Sequence, residues 1–291
     1  MIPQFQSLAL SQGPVAAYRW TGPTGAPELH FAHANGFNAF TYRHLLAPLA
    51  DEMTVIATDF RGHGVTALPA VPAALKSWSL YASDLIDVLE KLGPGPRILA
   101  GHSLGATVSL LAAATRPDLA SAVVMIEPVT STLRMRVLGR FLRPLGFGSP
   151  LVRNTLRRRA QWSSKEEAFA AYRSRGAFRT WPEEFLRDYL EAGLVEDKEG
   201  KLRLACSPEW EAANYRLGPP PVLEALPKVK CPVTLLHGTR ASTTFPPILR
   251  QIRRKHPSVR VIEVPRASHF LPMEAPELVR LEIRRAVSAA R

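Results

Sequence analysis

Apolar and polar positions alternate in two textures along the chain. Short, nearly continuous apolar runs recur at "ELHFAHA" (28–34), "TVIATDF" (54–60), "RILAGH" (97–102), "AVVMIE" (122–127), "VTLLHG" (233–238) and "VRVIEV" (259–264). Runs of this length, bounded by turn residues, predict strands covered on both faces, as in a parallel sheet. Two earlier stretches, "FQSLAL" (5–10) and "AAYRW" (16–20), predict an opening antiparallel pair. Between the runs lie helical segments: Ala39–Ala50, Trp78–Leu92 with Leu80, Leu85, Val88 and Leu89 on one face, an Ala/Leu-rich stretch after residue 103, Pro247–His256 and Pro276–Ala290. Strand–helix alternation of this kind predicts an α/β fold, a mostly parallel eight-stranded sheet with helices on both faces.

The alternation stops after residue 128 and resumes at 217. This predicts a core of residues 1–128 and 217–291, with a helical cap inserted over 129–216. Within the insertion, "KEEAFAAYRSR" and "PEEFLRDYLEAG" read as helices, the second with Pro182 at its first position and Glu183 and Glu184 in its first turn. "LGPPPVLEALPKVKCP" (217–232) reads as a stiff return linker. The insertion carries Phe141, Phe147, Trp162, Phe169, Tyr172, Phe178, Trp181, Phe185 and Tyr189. Most are expected to pack cap helices, and a few to line an apolar cleft where cap meets core.

Composition narrows the class. Hydrophobic residues are 46% and charged residues 21% of the chain, an ordinary globular balance. No apolar run reaches the roughly 18 residues of a membrane span. The start, "MIPQFQSLALSQG", has neither a basic n-region nor a long apolar core, so no signal peptide is expected. Cys206 and Cys231 are too few for a disulfide framework and lack metal spacing; free thiols in a cytoplasmic protein are expected. The unusual number is the charge: 37 basic against 25 acidic residues, +12, with much of the excess between Leu133 and Trp162. Such an excess marks either a site for an anionic partner or a solvated Arg-rich surface. Arg157–Arg159 is a run of only three with no RNA-binding motif around it, so no nucleic-acid partner is expected. Monomer and homodimer both stay open.

The chemistry begins at "GHSLG", Gly101–Gly105, which fits the G-x-S-x-G nucleophile elbow. The pattern alone is common, but here a strand precedes it and a helix follows at once. Small neighbours allow the tight turn that exposes the Ser103 hydroxyl at a helix N-terminus. A serine hydroxyl is a poor nucleophile without a base, an orienting group and oxyanion donors.

With this elbow, "AHANGF", "TDFRGHG" and "SHFLPMEAPE", the chain resembles the α/β-hydrolase superfamily over nearly its whole length. It is similar to the cap-bearing bacterial members: esterases, lactonases, carbon–carbon bond hydrolases and haloalkane dehalogenases. A dehalogenase or epoxide hydrolase of that kind would carry Asp at the elbow, and Ser103 argues against both. The chain order Ser…acid…His makes His269, in the loop after the last strand, the expected base, with His237 as competitor. His33 and His63 could line the site, and His102 fills the variable elbow position. The resemblance implies two oxyanion donors, the N–H groups of Leu104 and Phe37, with Asn35 available to brace the loop. Arg61–Gly64 is expected to brace the loops beside the nucleophile.

The acid is the departure. The family's commonest position follows "VTLLHG", where this chain reads "TRASTTF" (239–245), without Asp or Glu. The other location in similar proteins is the end of the strand after the elbow helix, here Glu127, 24 residues after Ser103. A carboxylate there would fix the His269 tautomer and stabilise the imidazolium formed during attack. The alternative is a polar dyad with Ser242 or Thr243 orienting His269; Glu263 and Glu274 have no comparable support.

The resemblance thus implies a serine hydrolase acting on a small carboxylic ester, thioester or lactone, with an anionic substrate suggested by the Arg-rich insertion. The partner expected is a small-molecule acyl substrate. Catalytic residues would be Ser103, Glu127 and His269, with no metal or organic cofactor. The alternatives are a carbon–carbon bond hydrolase of a diketone-like acid using the same residues, and a non-catalytic ligand receptor on the same fold.

Overall fold

The apolar runs assemble as eight strands: β1 (Gln4–Leu10), β2 (Gly13–Trp20), β3 (Glu28–Ala32), β4 (Thr54–Thr58), β5 (Arg97–His102), β6 (Ala120–Ile126), β7 (Val233–Gly238) and β8 (Arg260–Val264). The structure, a computed structural model, describes residues 1–131, 149–217 and 222–290. Residues 133–148 of the Arg-rich stretch, including Phe141 and Phe147, lie outside the described residues.

The strands form one sheet in the order β1-β2-β4-β3-β5-β6-β7-β8. β2 is antiparallel to both its neighbours, and every other pairing is parallel. β4 and β5 are buried at every position, as strands covered on both faces must be. One apolar cluster, around Phe31, Tyr42, Val55 and Ile283, fills one side; the other, around Leu85, Leu99, Leu104 and Leu235, fills the opposite side.

The covering helices include α1 (Ser79–Lys91), α2 (Leu104–Thr115) and, after the insertion, α7 (Pro246–Lys255) and α8 (Pro276–Ala289). Ala39–Ala50 is not one helix. It is a short α-turn, Arg43–Leu46, between 3-10 turns at Ala39–Tyr42 and Ala47–Asp51. Asn38 caps the first turn, and Pro48, which has no N–H to donate, opens the second.

The segment between β6 and β7 holds α3 (Pro150–Leu156), α4 (Lys165–Tyr172), α5 (Glu183–Gly193) and α6 (Pro208–Arg216). It is not wholly helical. Gln161–Trp162, Leu194–Glu196 and Leu202–Leu204 form a small antiparallel sheet, closed by a turn in which Asp197 Oδ1 accepts the N–H groups of Glu199 and Lys201. The alternation in "LVEDKEGKLRL" was the sequence signal for it. The return segment contains a short helix, Val222–Ala225, and a 3-10 turn, Leu226–Lys228; residues 218–221 lie outside the described ones.

The segment between β6 and β7 is tied to the rest of the fold by directional contacts. Arg43 pairs with Asp188 of α5 at 2.7 Å, Asn38 Nδ2 donates to the Tyr189 carbonyl at 3.0 Å, and Trp210 Nε1 of α6 donates to the Arg61 carbonyl at 2.9 Å. Arg61 grips buried Asp84 through two hydrogen bonds, 2.9 and 2.7 Å, so "RGHG" braces the loop after β4.

Helix α2 approaches β3 so closely that a Cβ on Gly105 would stand 2.1 Å from the Ala32 carbonyl oxygen. Gly105→Ala should therefore lower stability by about 2–3 kcal/mol and the thermal midpoint by roughly 5–10 °C. A calorimetric midpoint equal to wild type would contradict this close approach.

Candidate active site

The turn between β5 and α2 is strained. Ser103 has φ 56° and ψ −114°, left-handed backbone that a side chain tolerates only when its surroundings enforce it. Two features enforce it. Ser103 N–H donates to the Ile126 carbonyl at 2.9 Å, pinning the turn to the end of β6. Gly101 lets the turn close on itself, since a Cβ there would meet the Gly105 backbone at 2.5 Å. The turn presents Ser103 Oγ 3.1 Å from His269 Nε2.

His269 follows β8. Its loop is held by Glu274, whose carboxylate accepts Ser268 N–H at 2.6 Å and Ser268 O–H at 2.7 Å. Glu274 thus orders the loop and does not orient the imidazole. His269 Nδ1 faces Glu127 Oε2 at 3.3 Å and Thr243 Oγ1 at 3.2 Å. Ser103, His269 and Glu127 therefore stand in one hydrogen-bonded line. The competitor His237 does not join it: its Nδ1 bonds the Gly238 carbonyl and its nearest acid is Glu263, 3.9 Å away.

Glu127 sits just past β6 with φ 51° and no solvent contact. Its N–H donates to the Leu236 carbonyl at 2.8 Å. Its carboxylate accepts Gly238 N–H at 2.5 Å on one oxygen, and Ser242 O–H and Thr243 N–H, each at 3.0 Å, on the other. Burial pushes its pKa up, but the hydrogen bonds from His269, Gly238 and Thr243 outweigh burial and hold it below the ordinary 4.5. The loop "TRASTTF" thus has no acid of its own and supplies donors to one on the neighbouring strand. Ser242 and Thr243, the sequence alternatives to an acid, both face Glu127. The hydroxyls clustered right after β7 were the readable signal for this cradle.

The turn after β3 uses several of its amides internally. Phe37 N–H donates to the Ala34 carbonyl at 3.2 Å, closing a tight turn. Gly36 N–H donates to His63 Nε2 at 3.0 Å, and Ala34 N–H to Tyr42 Oη at 3.2 Å. Asn35 N–H is the amide of this turn with no partner among the described residues. Asn35 also braces the insertion, its Nδ2 donating to the Glu211 carbonyl at 3.1 Å. His33 and His63 are buried behind the turn, bonding backbone, and do not line the cavity.

A cavity of about 740 Å³ opens over Ser103. Leu104, Phe37, Phe178 and Phe270 give it apolar walls, while Asn35, Asn154, Arg158, Glu211 and Tyr215 form a polar side. Of the aromatics between residues 129 and 216, Phe178, Tyr189 and Tyr215 reach it; Trp181 packs behind, 4.9 Å from Phe178 and 5.2 Å from Phe37 between ring centres. Arg158 is the only Lys or Arg in the wall among the described residues. It pairs with Glu211 at 2.6 Å and donates to Tyr189 Oη at 2.5 Å. Burial opposes its charge, but Tyr189 and Glu211 alongside hold its pKa well above the ordinary value.

Comparison with known proteins agrees with this architecture. The model of the alpha/beta hydrolase family matches residues 31–281. The chain is 29% identical over 252 residues to 2-(acetamidomethylene)succinate hydrolase of Mesorhizobium japonicum, covering 87% of this chain and 84% of that protein. It is 33% identical over 122 residues to Esterase Rv0045c of Mycobacterium tuberculosis, covering 42% and 39%. The solved structure of E-2-(acetamidomethylene)succinate hydrolase superposes with a TM-score of 0.81 at 25% identity, over 99% of this chain and 100% of that one. The thioesterase domain from the curacin biosynthetic pathway shares the fold, with a TM-score of 0.75 at 19% identity over 98% and 100%.

The depressed Glu127 pKa has a signed consequence. A carboxyl whose folded pKa lies below its unfolded one stabilises the fold fully above the unfolded value, and that stabilisation is lost as pH falls through the folded one. The advantage of wild type over Glu127→Gln in denaturant unfolding should therefore be constant near neutrality and shrink as pH drops below 4.5. An advantage that grows on acidification would show that Glu127 is held neutral.

Proposed function

The chain belongs to the alpha/beta hydrolase family and is a hydrolytic enzyme of that type, and we propose that it works as a serine hydrolase on a small carboxylic ester, thioester or lactone. The observation that carries this reading is the line from Ser103 Oγ to His269 Nε2, at 3.1 Å, and from His269 Nδ1 to Glu127 Oε2, at 3.3 Å.

In this mechanism His269 Nε2 takes the Ser103 proton as Oγ attacks the acyl carbon. Negative charge collects on the acyl oxygen. Leu104 N–H, at the first turn of α2, and an amide of the Ala34–Phe37 turn receive it, and Asn35 N–H is the one with no other partner. His269, now imidazolium, is stabilised by ionised Glu127 and gives its proton to the leaving group. The same imidazole then activates water, which releases the acid and restores Ser103. The chemistry calls for neither metal nor organic cofactor.

Residues 129–216 act as the cap in this reading. Their described part closes the cavity with Phe178, Tyr189, Arg158 and Glu211, so the acyl group meets Ser103 away from bulk water. The relative's name describes a succinate carrying an acetamido group. The polar side around Arg158 supports a substrate of related chemistry here, an acyl compound with a polar or anionic end.

The test is hydrolysis of p-nitrophenyl esters from acetate upward, with one member carrying a terminal carboxylate. Ser103→Ala should abolish turnover, and Glu127→Gln should lower kcat by roughly 10³–10⁴-fold, because the wrong His tautomer then faces Ser103. The carboxylate-bearing ester should have a lower KM than its neutral counterpart. Near-wild-type turnover in Glu127→Gln would remove the acid from the mechanism, and equal KM values would remove the anionic end from the substrate.

A further inference from the structure

The variable position of the elbow holds a side chain that the mechanism above does not use. His102 has no solvent exposure and takes no part in the cavity wall, yet both its ring nitrogens are bonded. Nε2 lies 2.7 Å from the His269 carbonyl oxygen and Nδ1 lies 2.7 Å from Tyr42 Oη. Tyr42, also without solvent exposure, receives Ala34 N–H at 3.2 Å.

Every direction in this chain is forced. A carbonyl oxygen only accepts, so Nε2 carries the His102 proton. In a neutral imidazole Nδ1 is then an acceptor, so Tyr42 O–H donates to it. The Tyr42 oxygen keeps a lone pair for Ala34 N–H. Burial, and after it the repulsion a protonated His269 would exert, pushes the His102 pKa well below the ordinary range, which keeps the ring neutral. A charged ring would have two donors and no acceptor, and Tyr42 O–H would face a proton.

The chain joins three separate pieces of the site: the turn after β3 that carries the candidate oxyanion amide, the elbow, and the loop after β8 that carries the base. His269 N–H makes no backbone bond among the described residues, so its carbonyl's bond to His102 is the link from this peptide to the elbow. A space-filling ring at position 102 would keep the packing, 5.0 Å from the His269 ring between centres, and lose the link.

We propose that His102 is a positioning residue: through Tyr42 it locks the His269 backbone and the oxyanion turn into one geometry, so that base and oxyanion donors meet the acyl group in register. This role rests on the serine-hydrolase reading, and its loss would appear in the rate of attack by Ser103, leaving ligand affinity intact. A displacement of about 1 Å in such a group costs on the order of 100-fold in rate.

The probe is a fluorophosphonate, which reports attack by Ser103 whatever the natural substrate. The readouts are the maximal labelling rate, the probe concentration giving half that rate, and the thermal midpoint. His102→Phe should slow maximal labelling by about 10- to 100-fold at nearly constant half-saturation. Tyr42→Phe should slow it by about 3- to 10-fold, and the double variant should be no slower than His102→Phe, because one break already opens the chain. His102→Gln, which has both a donor and an acceptor, should recover part of the rate. A folded His102→Phe that labels at the wild-type rate, or effects of the two variants that simply multiply, would overturn the proposal. If His102→Phe does not fold, Tyr42→Phe decides alone, and an unchanged rate there also overturns it. Wild-type protein that does not label at Ser103 would overturn the serine reading itself, a result distinct from equal labelling of wild type and variants.

Discussion

A carboxylate without solvent contact must be surrounded by donors, or the protein has to hold it neutral. Glu127 sets that requirement here, and much of the local architecture answers it. The strand β7 ends in Gly238 N–H, the loop after it offers Ser242 and Thr243, and the loop after β8 offers His269. Three segments thus converge on one side chain at the end of β6. Because the donors outweigh burial, the carboxyl stays ionised, and an ionised acceptor suits a histidine that becomes cationic. The elbow depends on the same region, since Ser103 N–H is tied to the last residue of β6.

Much of this was legible in the sequence, for physical reasons. Buried parallel strands need continuous apolar runs, so all eight strands were visible, with ends shifted by a few residues where an apolar loop such as His33–Ala34 extends the run. The elbow was visible because its close contacts admit only small residues. Glu127 was singled out because "TRASTTF" lacks an acid and similar proteins offer a second place for one, at the end of the strand after the elbow helix. Less legible was everything set by local hydrogen bonding. Pro48 breaks the Ala39–Asp51 segment into short turns although its apolar spacing is helical. Phe37 N–H is used within its own turn, which spacing could not reveal. The cradle for Glu127 and the chain through His102 join residues more than a hundred positions apart, which no local pattern encodes.

The insertion and core meet where polar and apolar chemistry divide. Aromatic rings from both, Phe37, Phe178 and Phe270, line the cavity together with the Arg158–Glu211 pair. The pair is costly to bury, and the phenol oxygens of Tyr172 and Tyr189 offset part of that cost by accepting the N–H groups of Arg158 Nη2. The same residues that close the cavity also hold the insertion on the core: Asn35, beside Ser103 in the cavity wall, bonds α6, and Tyr189 lies in α5, which Arg43 anchors through Asp188. The shape of the cavity and the seating of the insertion are thus one packing problem.

The central claim is that ionised Glu127 accepts a hydrogen bond from His269 Nδ1–H. Proton NMR of the far-downfield imidazole N–H region tests it without any substrate. The account predicts a resonance from His269 Nδ1–H in the wild type, lost in Glu127→Gln and retained in Ser242→Ala. A resonance that persists unchanged in Glu127→Gln would mean that Thr243, or another group, orients the histidine, and would contradict the account.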